Sequence, residues 1–260
     1  MTICAAGIDV GSITTKAAVI STEGLLGTAI VFTGYNTADA AQRVFDRVLL
    51  DCSLVPSDIA AVVSTGYGRN SVSFTGKAIT EIICHGTGAH YLNPAIRSVV
   101  DVGGQDSKAL ILNGEGRTTD FAMNDKCAAG TGRFLEVMAR ALEVDLDDFG
   151  LLSLQSAEPS RISSICTVFA ESEVISLISG GEKREDIIAG IHESAAARVA
   201  ALAHRVGVRP PLMMTGGVAR NAGIVAALER KLDMAVEVSP RAQLAGAIGA
   251  AVLALKNVME

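Results

Sequence analysis

Two copies of one pattern occur in the chain: Ala5-Ala6-Gly7-Ile8-Asp9-Val10-Gly11-Ser12 and, 92 positions later, Arg97-Ser98-Val99-Val100-Asp101-Val102-Gly103-Gly104. In each copy an apolar run leads into Asp-Val-Gly, and a lysine and a second apolar run follow, Lys16-Ala17-Ala18-Val19-Ile20 and Lys108-Ala109-Leu110-Ile111-Leu112. Short apolar runs bounded by glycine predict buried strands joined by a tight turn. An internal repeat of this kind predicts two similar lobes.

The rest of the chain alternates strand-like and helix-like runs, which predicts an α/β protein. Strands are predicted over residues 5–10, 16–21, 28–33 and 59–64, and a helix over residues 38–50. Asn93-Pro94 supplies a break, so we predict an N-terminal lobe over 1–95 and a C-terminal lobe over 96–260. The Ala- and Gly-rich run 244–255 is predicted to form a last helix that packs back on the N-terminal lobe.

The two Asp-Val-Gly turns have the chemistry of a phosphate site. Glycine lets backbone N–H groups approach phosphate oxygens closely, and hydroxyl side chains and Lys16 follow the first turn. Asp9 and Asp101 can order the water shell of a bound Mg²⁺. Two such turns in register predict a clamp on nucleotide phosphates, with Gln105 or one of the aspartates positioning the attacking water.

A third turn lies in Pro211-Leu212-Met213-Met214-Thr215-Gly216-Gly217-Val218-Ala219-Arg220-Asn221, where a buried strand ends in Gly-Gly before a helix. Bare backbone at such a turn can accept adenine and ribose. Taken alone it is an ordinary strand-to-helix turn, and its position after the paired clamp favours nucleotide contact. The predicted nucleotide-binding residues are Gly11, Ser12, Ile13, Thr14, Thr15, Lys16, Gly103, Gly104, Gln105, Ser107, Gly216, Gly217, Asn221 and Gln243.

Two of the five cysteines stand in similar surroundings, Cys127 in Asn124-Asp125-Lys126-Cys127-Ala128-Ala129-Gly130-Thr131-Gly132-Arg133-Phe134-Leu135-Glu136 and Cys166 in Cys166-Thr167-Val168-Phe169-Ala170-Glu171-Ser172-Glu173. Both are predicted to stand where a loop becomes a helix, and a helix N-terminus favours thiolate and suits an anionic iron–sulfur cluster. Two thiolates cannot complete a four-cysteine set, but two copies of the chain can. On spacing alone each cysteine is more often a small buried hydrophobe. Cys4, Cys52 and Cys84 are predicted to be structural.

Composition narrows the classes of partner. A net charge of −6 argues against nucleic acid, which needs a basic stripe. The N-terminus has no basic segment, and the longest apolar run, 244–255, is shorter than a bilayer span, so no membrane is expected. Cysteines without secretory features predict a reducing cytoplasm.

The three turns together with segments 124–136 and 166–173 resemble the activator family of 2-hydroxyacyl-CoA dehydratases, which is related to the ATP-binding subunits of benzoyl-CoA reductase. The likeness extends along essentially the whole chain. It implies the fold of the actin, hexokinase and chaperone ATPase superfamily, two ribonuclease-H-like lobes with nucleotide in the cleft between them.

The same resemblance implies cofactors and partners. It implies a homodimer with ATP or ADP, Mg²⁺ and one four-iron four-sulfur cluster, held by Cys127 and Cys166 of both protomers. It also implies ATP-dependent transfer of one electron to the dehydratase, with ferredoxin or flavodoxin as electron donor. (R)-2-hydroxyglutaryl-CoA is the favoured substrate of that dehydratase.

Two other functions are compatible with the phosphate clamp. A small-molecule kinase of the same fold would use Asp101 or Asp106 as base toward a substrate hydroxyl. A non-redox ATPase switch would use nucleotide to control partner binding. Both leave the similar surroundings of Cys127 and Cys166 unexplained. His192 and His204 are expected on a helix surface.

Overall fold

The computed structural model describes residues 2–162 and 167–260. It contains two five-stranded mixed sheets flanked by helices, which confirms the predicted α/β class. The chain divides into two compact units. Unit 1 comprises Met1–Arg97, Leu112–Thr119 and Ser239–Glu260, and unit 2 comprises Ser98–Ile111 and Asp120–Val238. The sequence pattern did not assign Leu112–Thr119 to the first unit.

The strands are β1 Cys4–Val10, β2 Thr14–Ser21, β3 Gly24–Phe32, β4 Ile59–Thr65, β5 Lys77–Ala78, β6 Ser98–Val102, β7 Ser107–Leu112, β8 Thr118–Asn124, β9 Leu212–Thr215 and β10 Val236–Glu237. The helices are α1 Thr37–Asp51, α2 Glu81–Leu92, α3 Gly132–Ala141, α4 Leu146–Ser153, α5 Thr167–Ser179, α6 Arg184–Val206, α7 Ala222–Leu232 and α8 Ala245–Met259. The elements predicted from the sequence occur with small changes at their ends. Among the strands, the largest change is at the start of β3. It begins at Gly24 because a tight turn pairs that residue with Ser21.

The sequence repeat is also a repeat of sheet topology. The first sheet has the order β3-β2-β1-β4-β5 and the second the order β8-β7-β6-β9-β10. In the first sheet, β1 is antiparallel to β2 and parallel to β4. In the second sheet, β6 is antiparallel to β7 and parallel to β9. The register is equivalent as well, because Asp9 pairs with Lys16 and Asp101 with Lys108.

Both faces of the first sheet are covered, because the side chains of β1 alternate between two apolar clusters. Ala6, Ile8 and Val10 pack with buried side chains of α1. Ala5 lies in the other cluster, with side chains of α8 and α2. Asp9 shares this second face and borders α8 at Gly246. Because side chains alternate along β1, the Asp9 carboxylate lies beside the start of α8.

Helix α8 is the core helix of unit 1 and packs against α2, β1 and β4. The helix continues to Met259, beyond the predicted end at residue 255. By length and composition, Ala242–Met259 would suffice to cross a membrane, with a mean hydropathy of 1.4. Half of that segment is buried inside the structure. Packing against α2 and the sheet therefore accounts for its apolar composition.

Candidate nucleotide site and cysteine loop

The first hairpin places a buried ion pair beside a glycine turn. Asp9 and Lys16 lie opposite each other on β1 and β2, with Lys16 Nζ 3.2 Å from Asp9 Oδ2. The N–H of Gly11 donates to the carbonyl of Thr14 at 3.2 Å and closes the turn. Ser12 lies within this turn and is half-buried. The turn therefore offers backbone N–H groups, hydroxyls and one ammonium group.

The second hairpin repeats this arrangement with one additional carboxylate. Lys108 Nζ lies 3.3 Å from Asp101 Oδ2 and 2.7 Å from Asp106 Oδ1. The N–H of Gly103 donates to the carbonyl of Asp106 at 2.9 Å. Gln105 is exposed in the turn, in contact with solvent. Neither Lys108 nor Asp106 is among the predicted nucleotide ligands, although the repeat pointed to the lysine.

Thr15 and Ser107 differ from the other predicted phosphate ligands. Both side chains are buried, and they occupy equivalent positions, paired with Val10 and Val102. The Thr15 hydroxyl lies 2.9 Å from the hydroxyl of Thr33. Successive strand residues point to opposite faces, so each of these side chains lies on the face opposite the following lysine. Their role in nucleotide binding stays a prediction, and their side chains lie on the face opposite the lysines.

The third turn begins with a glycine that no other residue type would fit. Gly216 has φ of +89°, and a Cβ there would lie 2.4 Å from the carbonyl oxygen of Val102. The residue before it is Thr215, whose hydroxyl donates a hydrogen bond to Asp101 Oδ1 at 3.0 Å. The turn therefore packs directly on the strand that carries Asp101.

Unit 1 contains an equivalent turn that the sequence analysis missed. Gly66 follows β4 with φ of +85°, and a Cβ there would collide with Val10 and Asp9. The signal was present in the sequence, because Thr65-Gly66 is followed by Arg69-Asn70 as Thr215-Gly216 is followed by Arg220-Asn221. Each sheet thus places a glycine turn beside its aspartate.

Two of the predicted nucleotide ligands lie at helix starts. Asn221 is the N-cap of α7, where its side-chain oxygen accepts from the N–H of Ile224 at 3.0 Å. Its Nδ2 lies 3.2 Å from Nε2 of His192. The Asn221 amide is therefore engaged in holding α7. Gln243 is half-buried in the single turn Ala242–Leu244 that precedes α8.

His192 is buried rather than on a helix surface, which corrects the prediction. Its ring contacts the edge of Phe149 at a centroid distance of 5.2 Å. Burial, together with the charge of Arg230, lowers the pKa of His192 to about 4. The imidazole is therefore neutral at pH 7. His204, on the same helix, is exposed as expected.

Cys127 lies on a loop, five residues before α3 begins at Gly132. The prediction that it begins the helix is therefore wrong. Asn124 Nδ2 donates to the carbonyl of Cys127 at 2.8 Å, and the N–H of Thr131 donates to the carbonyl of Ala128 at 3.0 Å. The Cys127 thiol is free and half-buried. It borders an open cleft of about 590 Å³ in unit 2, which Arg198 and Arg205 also line.

The other described cysteines have different environments. Cys4 and Cys84 are buried, and Cys52 is half-buried. Burial raises the pKa of the Cys52 thiol, and it raises that of Cys84 to about 12. Cys166 lies outside the described residues. Within 2–162 and 167–260 there is no cluster of three metal-ligating side chains, so Cys127 could hold iron only with further ligands from elsewhere.

The two sheets of equal topology give this protein the actin-like ATPase fold, which hexokinases share. Within that class, the chain belongs to the BadF/BadG/BcrA/BcrD ATPase family, whose model matches residues 6–254. It is therefore an ATP-binding protein and an ATPase. The resemblance identified from the sequence is confirmed at the level of the family.

Similar proteins match from end to end. The chain is 47% identical to the activator of lactoyl-CoA dehydratase from Anaerotignum propionicum, over 95% of this chain and 96% of that protein. The crystal structure of component A of (R)-2-hydroxyglutaryl-CoA dehydratase from Acidaminococcus fermentans matches with a TM-score of 0.96 and 45% identity, over 99% of this chain and 100% of that one. The activator of 2-hydroxyisocaproyl-CoA dehydratase from Clostridium difficile, with bound ADPNP, matches with a TM-score of 0.94 and 44% identity, over 98% and 96%.

Proposed function

We propose that this protein is an ATP-hydrolysing activator that transfers one electron to a 2-hydroxyacyl-CoA dehydratase. The observation that carries this proposal is the free, half-buried thiol of Cys127 on a loop of an ATPase. A kinase or a non-redox switch needs no thiol at that place. Three similar proteins that are named for dehydratases support the same activity.

For the partner dehydratase we propose only the class of its substrate, a 2-hydroxyacyl-CoA. Identities of 47%, 45% and 44% to proteins named for lactoyl-, 2-hydroxyglutaryl- and 2-hydroxyisocaproyl-CoA dehydratases are nearly equal. A 2-hydroxyacyl-CoA dehydratase is therefore the proposed partner. (R)-2-hydroxyglutaryl-CoA, the substrate favoured from the sequence, is the first to test.

The nucleotide contacts are proposed for the glycine turns. The turns over residues 11–14 and 103–106 offer backbone N–H groups to phosphate, apart from those of Gly11 and Gly103, which close the turns. Lys16 adds a positive charge. Gly216 and Gly217 would accept the nucleoside against bare backbone. Thr15 and Ser107 are omitted from this set because their side chains are buried on the opposite face.

Metal and water are assigned to the acidic and amide side chains. Asp9 and Asp101 would hold the hydrated Mg²⁺, since each carboxylate lies beside a glycine turn that brings no side chain against it. Both also contact a lysine, Lys16 in the first hairpin and Lys108 in the second. Gln105, exposed in the second turn, is the proposed residue that orients the attacking water.

The iron–sulfur cluster is proposed to be shared by a homodimer. Cys127 supplies an accessible thiol, and Cys166 is proposed as the second ligand from each protomer. Such a cluster would supply storage of a single electron at low potential. Asn124 Nδ2 donates to the carbonyl of Cys127 at 2.8 Å and so supports the backbone next to that thiol. Ferredoxin or flavodoxin is the proposed donor, in the cytoplasm.

Anaerobic iron and sulfide analysis of the purified protein tests this function. We expect a brown protein with four irons for each two chains, ATP hydrolysis, and ATP-dependent reduction of a dehydratase. A colourless protein that phosphorylates a sugar would be a kinase, and a colourless one that binds a partner only with ATP would be a switch. The structure gives the kinase no specific support, because Asp106 and Asp101, its candidate bases, both contact Lys108.

A further inference from the structure

The start of α3 is bonded to the second glycine turn. The N–H of Gly132 donates to the carbonyl of Gly103 at 2.9 Å, and the N–H of Arg133 donates to the carbonyl of Gly104 at 2.8 Å. The N–H groups of the first helical turn have no carbonyl partner within their own helix. Here the turn that we propose binds phosphate supplies those carbonyls. A movement of that turn must therefore move the start of α3 or break two hydrogen bonds.

Gly132 also touches the third turn. A Cβ placed on Gly132 would lie 3.2 Å from Cγ2 of Val218, 3.2 Å from the carbonyl oxygen of Gly103 and 3.4 Å from the Cα of Gly104. Val218 follows Gly216 and Gly217 directly. One residue thus fits between the two turns of unit 2 that we propose contact the nucleotide. A Cβ at position 132 would require one of these neighbours to shift by a few tenths of an ångström.

The connection from Gly132 back to Cys127 is short and well bonded. Both the N–H and the hydroxyl of Thr131 donate to the carbonyl of Ala128, at 3.0 and 2.6 Å. Gly130 has φ of +88° and fits closely against the side chain of Arg198 on α6. Residues 127–131 therefore have little freedom to absorb a displacement of Gly132.

We propose that Gly132 is a positioning residue that transmits the state of the nucleotide to the Cys127 loop. Replacing ATP by ADP changes the contacts available to the turn at Gly103 and Gly104. Because Gly132 is bonded to this turn and packed against Val218, the change reaches the loop within five residues of the thiol. This inference rests on the proposed function for its purpose, but the mechanical coupling is measurable without the cluster.

Hydrogen exchange of the full-length protein as purified tests the coupling. We expect backbone amides of residues 125–131 in the wild-type protein to exchange at rates that differ about fivefold between ADP and ADPNP. In Gly132→Ala, whose Cβ would lie 3.2 Å from the carbonyl oxygen of Gly103, that ratio should be smaller than in the wild-type protein, while the affinity for ADP changes by less than about fivefold. Gly114→Ala is the matched control, because a Cβ at Gly114 meets nothing within 4 Å, and it should keep the wild-type ratio.

Two results would overturn the proposal: equal exchange with ADP and ADPNP in the wild-type protein, or an unchanged ratio in Gly132→Ala. Should Gly132→Ala fail to fold, Val218→Ala removes one side of the same contact without adding atoms. An undiminished ratio in that variant would also overturn it. Iron content is measured in parallel, so a protein without iron but with coupled exchange would reject the proposed redox function and leave the role of Gly132 standing.

Discussion

Lys16 and Lys108 occupy equivalent positions in the two hairpins, but they differ in the charge around them. Lys16 Nζ lies 3.2 Å from Asp9, whereas Lys108 Nζ lies 3.3 Å from Asp101 and 2.7 Å from Asp106. The residue in the place of Asp106 in the first hairpin is Thr14, which carries no charge. Lys16 can therefore accept phosphate as a second anion, while Lys108 already lies between two carboxylates.

Replacement of Lys16 by methionine should impair nucleotide binding. A charge-assisted hydrogen bond contributes about 1.5–3 kcal/mol, so we expect the Lys16→Met variant to lose roughly tenfold to a hundredfold in kcat/KM for ATP. Calorimetric titration with ADP and ADPNP and a steady-state ATPase assay would measure this. Iron content should stay at the wild-type value, since Lys16 lies outside the cysteine loop. Normal hydrolysis by Lys16→Met would show that the phosphates bind elsewhere.

Replacement of Lys108 by methionine should mainly reduce stability. Its side chain is 3% exposed, and its loss leaves Asp101 and Asp106 close together without their shared cation. Removing one partner of a buried ion pair costs about 3–5 kcal/mol. The midpoint of urea unfolding should therefore fall further in Lys108→Met than in Lys16→Met, where one carboxylate loses its partner. An equal or smaller fall in Lys108→Met would contradict the assignment.

Local pattern was sufficient to predict the repeat, and with it the strands and the Asp–Lys register. Alternation along each strand also contained the information that Thr15 and Ser107 point away from the lysines, although the sequence analysis counted them with the turn. The burial of His192 could also have been predicted from the sequence. Ile188 and Ala195 lie four and three residues away, on the same face of α6, and both are buried.

The remaining features depend on contacts between distant segments. The distance from Cys127 to the start of α3 follows from hydrogen bonds between Gly132 or Arg133 and a turn nearly thirty residues earlier. Asn221 could equally have contacted a nucleotide, and its contact with His192, which lies 29 positions earlier, appears only in the folded structure. Neither relationship leaves a periodic signal in the sequence.

The cysteines provide a test of the shared cluster. If two chains hold one cluster, Cys127→Ala or Cys166→Ala removes two of its four thiolates, one from each chain. Either variant should lose stable iron binding and should dimerise more weakly, because the metal is part of the interface. Iron analysis and analytical ultracentrifugation would measure both effects.

Cys52→Ala is the matched control for this test, because Cys52 is also free and half-buried, and it should keep its iron. Cys4→Ala and Cys84→Ala should keep theirs too, with a cost of about 1 kcal/mol for the lost packing. Full iron content in Cys127→Ala, or four irons for each wild-type chain, would refute the shared cluster.

His192 should make the stability of the protein depend on pH. Burial holds its pKa at about 4 in the folded protein, below the ordinary value of 6.5. Between these values the unfolded chain binds a proton that the folded chain does not, so the free energy of unfolding falls as the pH is lowered from 6.5 to 4. The full shift corresponds to about 3 kcal/mol. Above pH 6.5 the ring is neutral in both states and adds no slope.

Urea unfolding of the nucleotide-free protein at pH 7, 6 and 5 would measure this dependence. His192→Gln should have a shallower slope than the wild-type protein, by up to one proton, because glutamine does not titrate. His204→Gln changes an exposed histidine on the same helix and should keep the wild-type slope. Equal slopes in His192→Gln and the wild-type protein would mean that the ring is protonated when folded, and that it does not hold Asn221 as a neutral group.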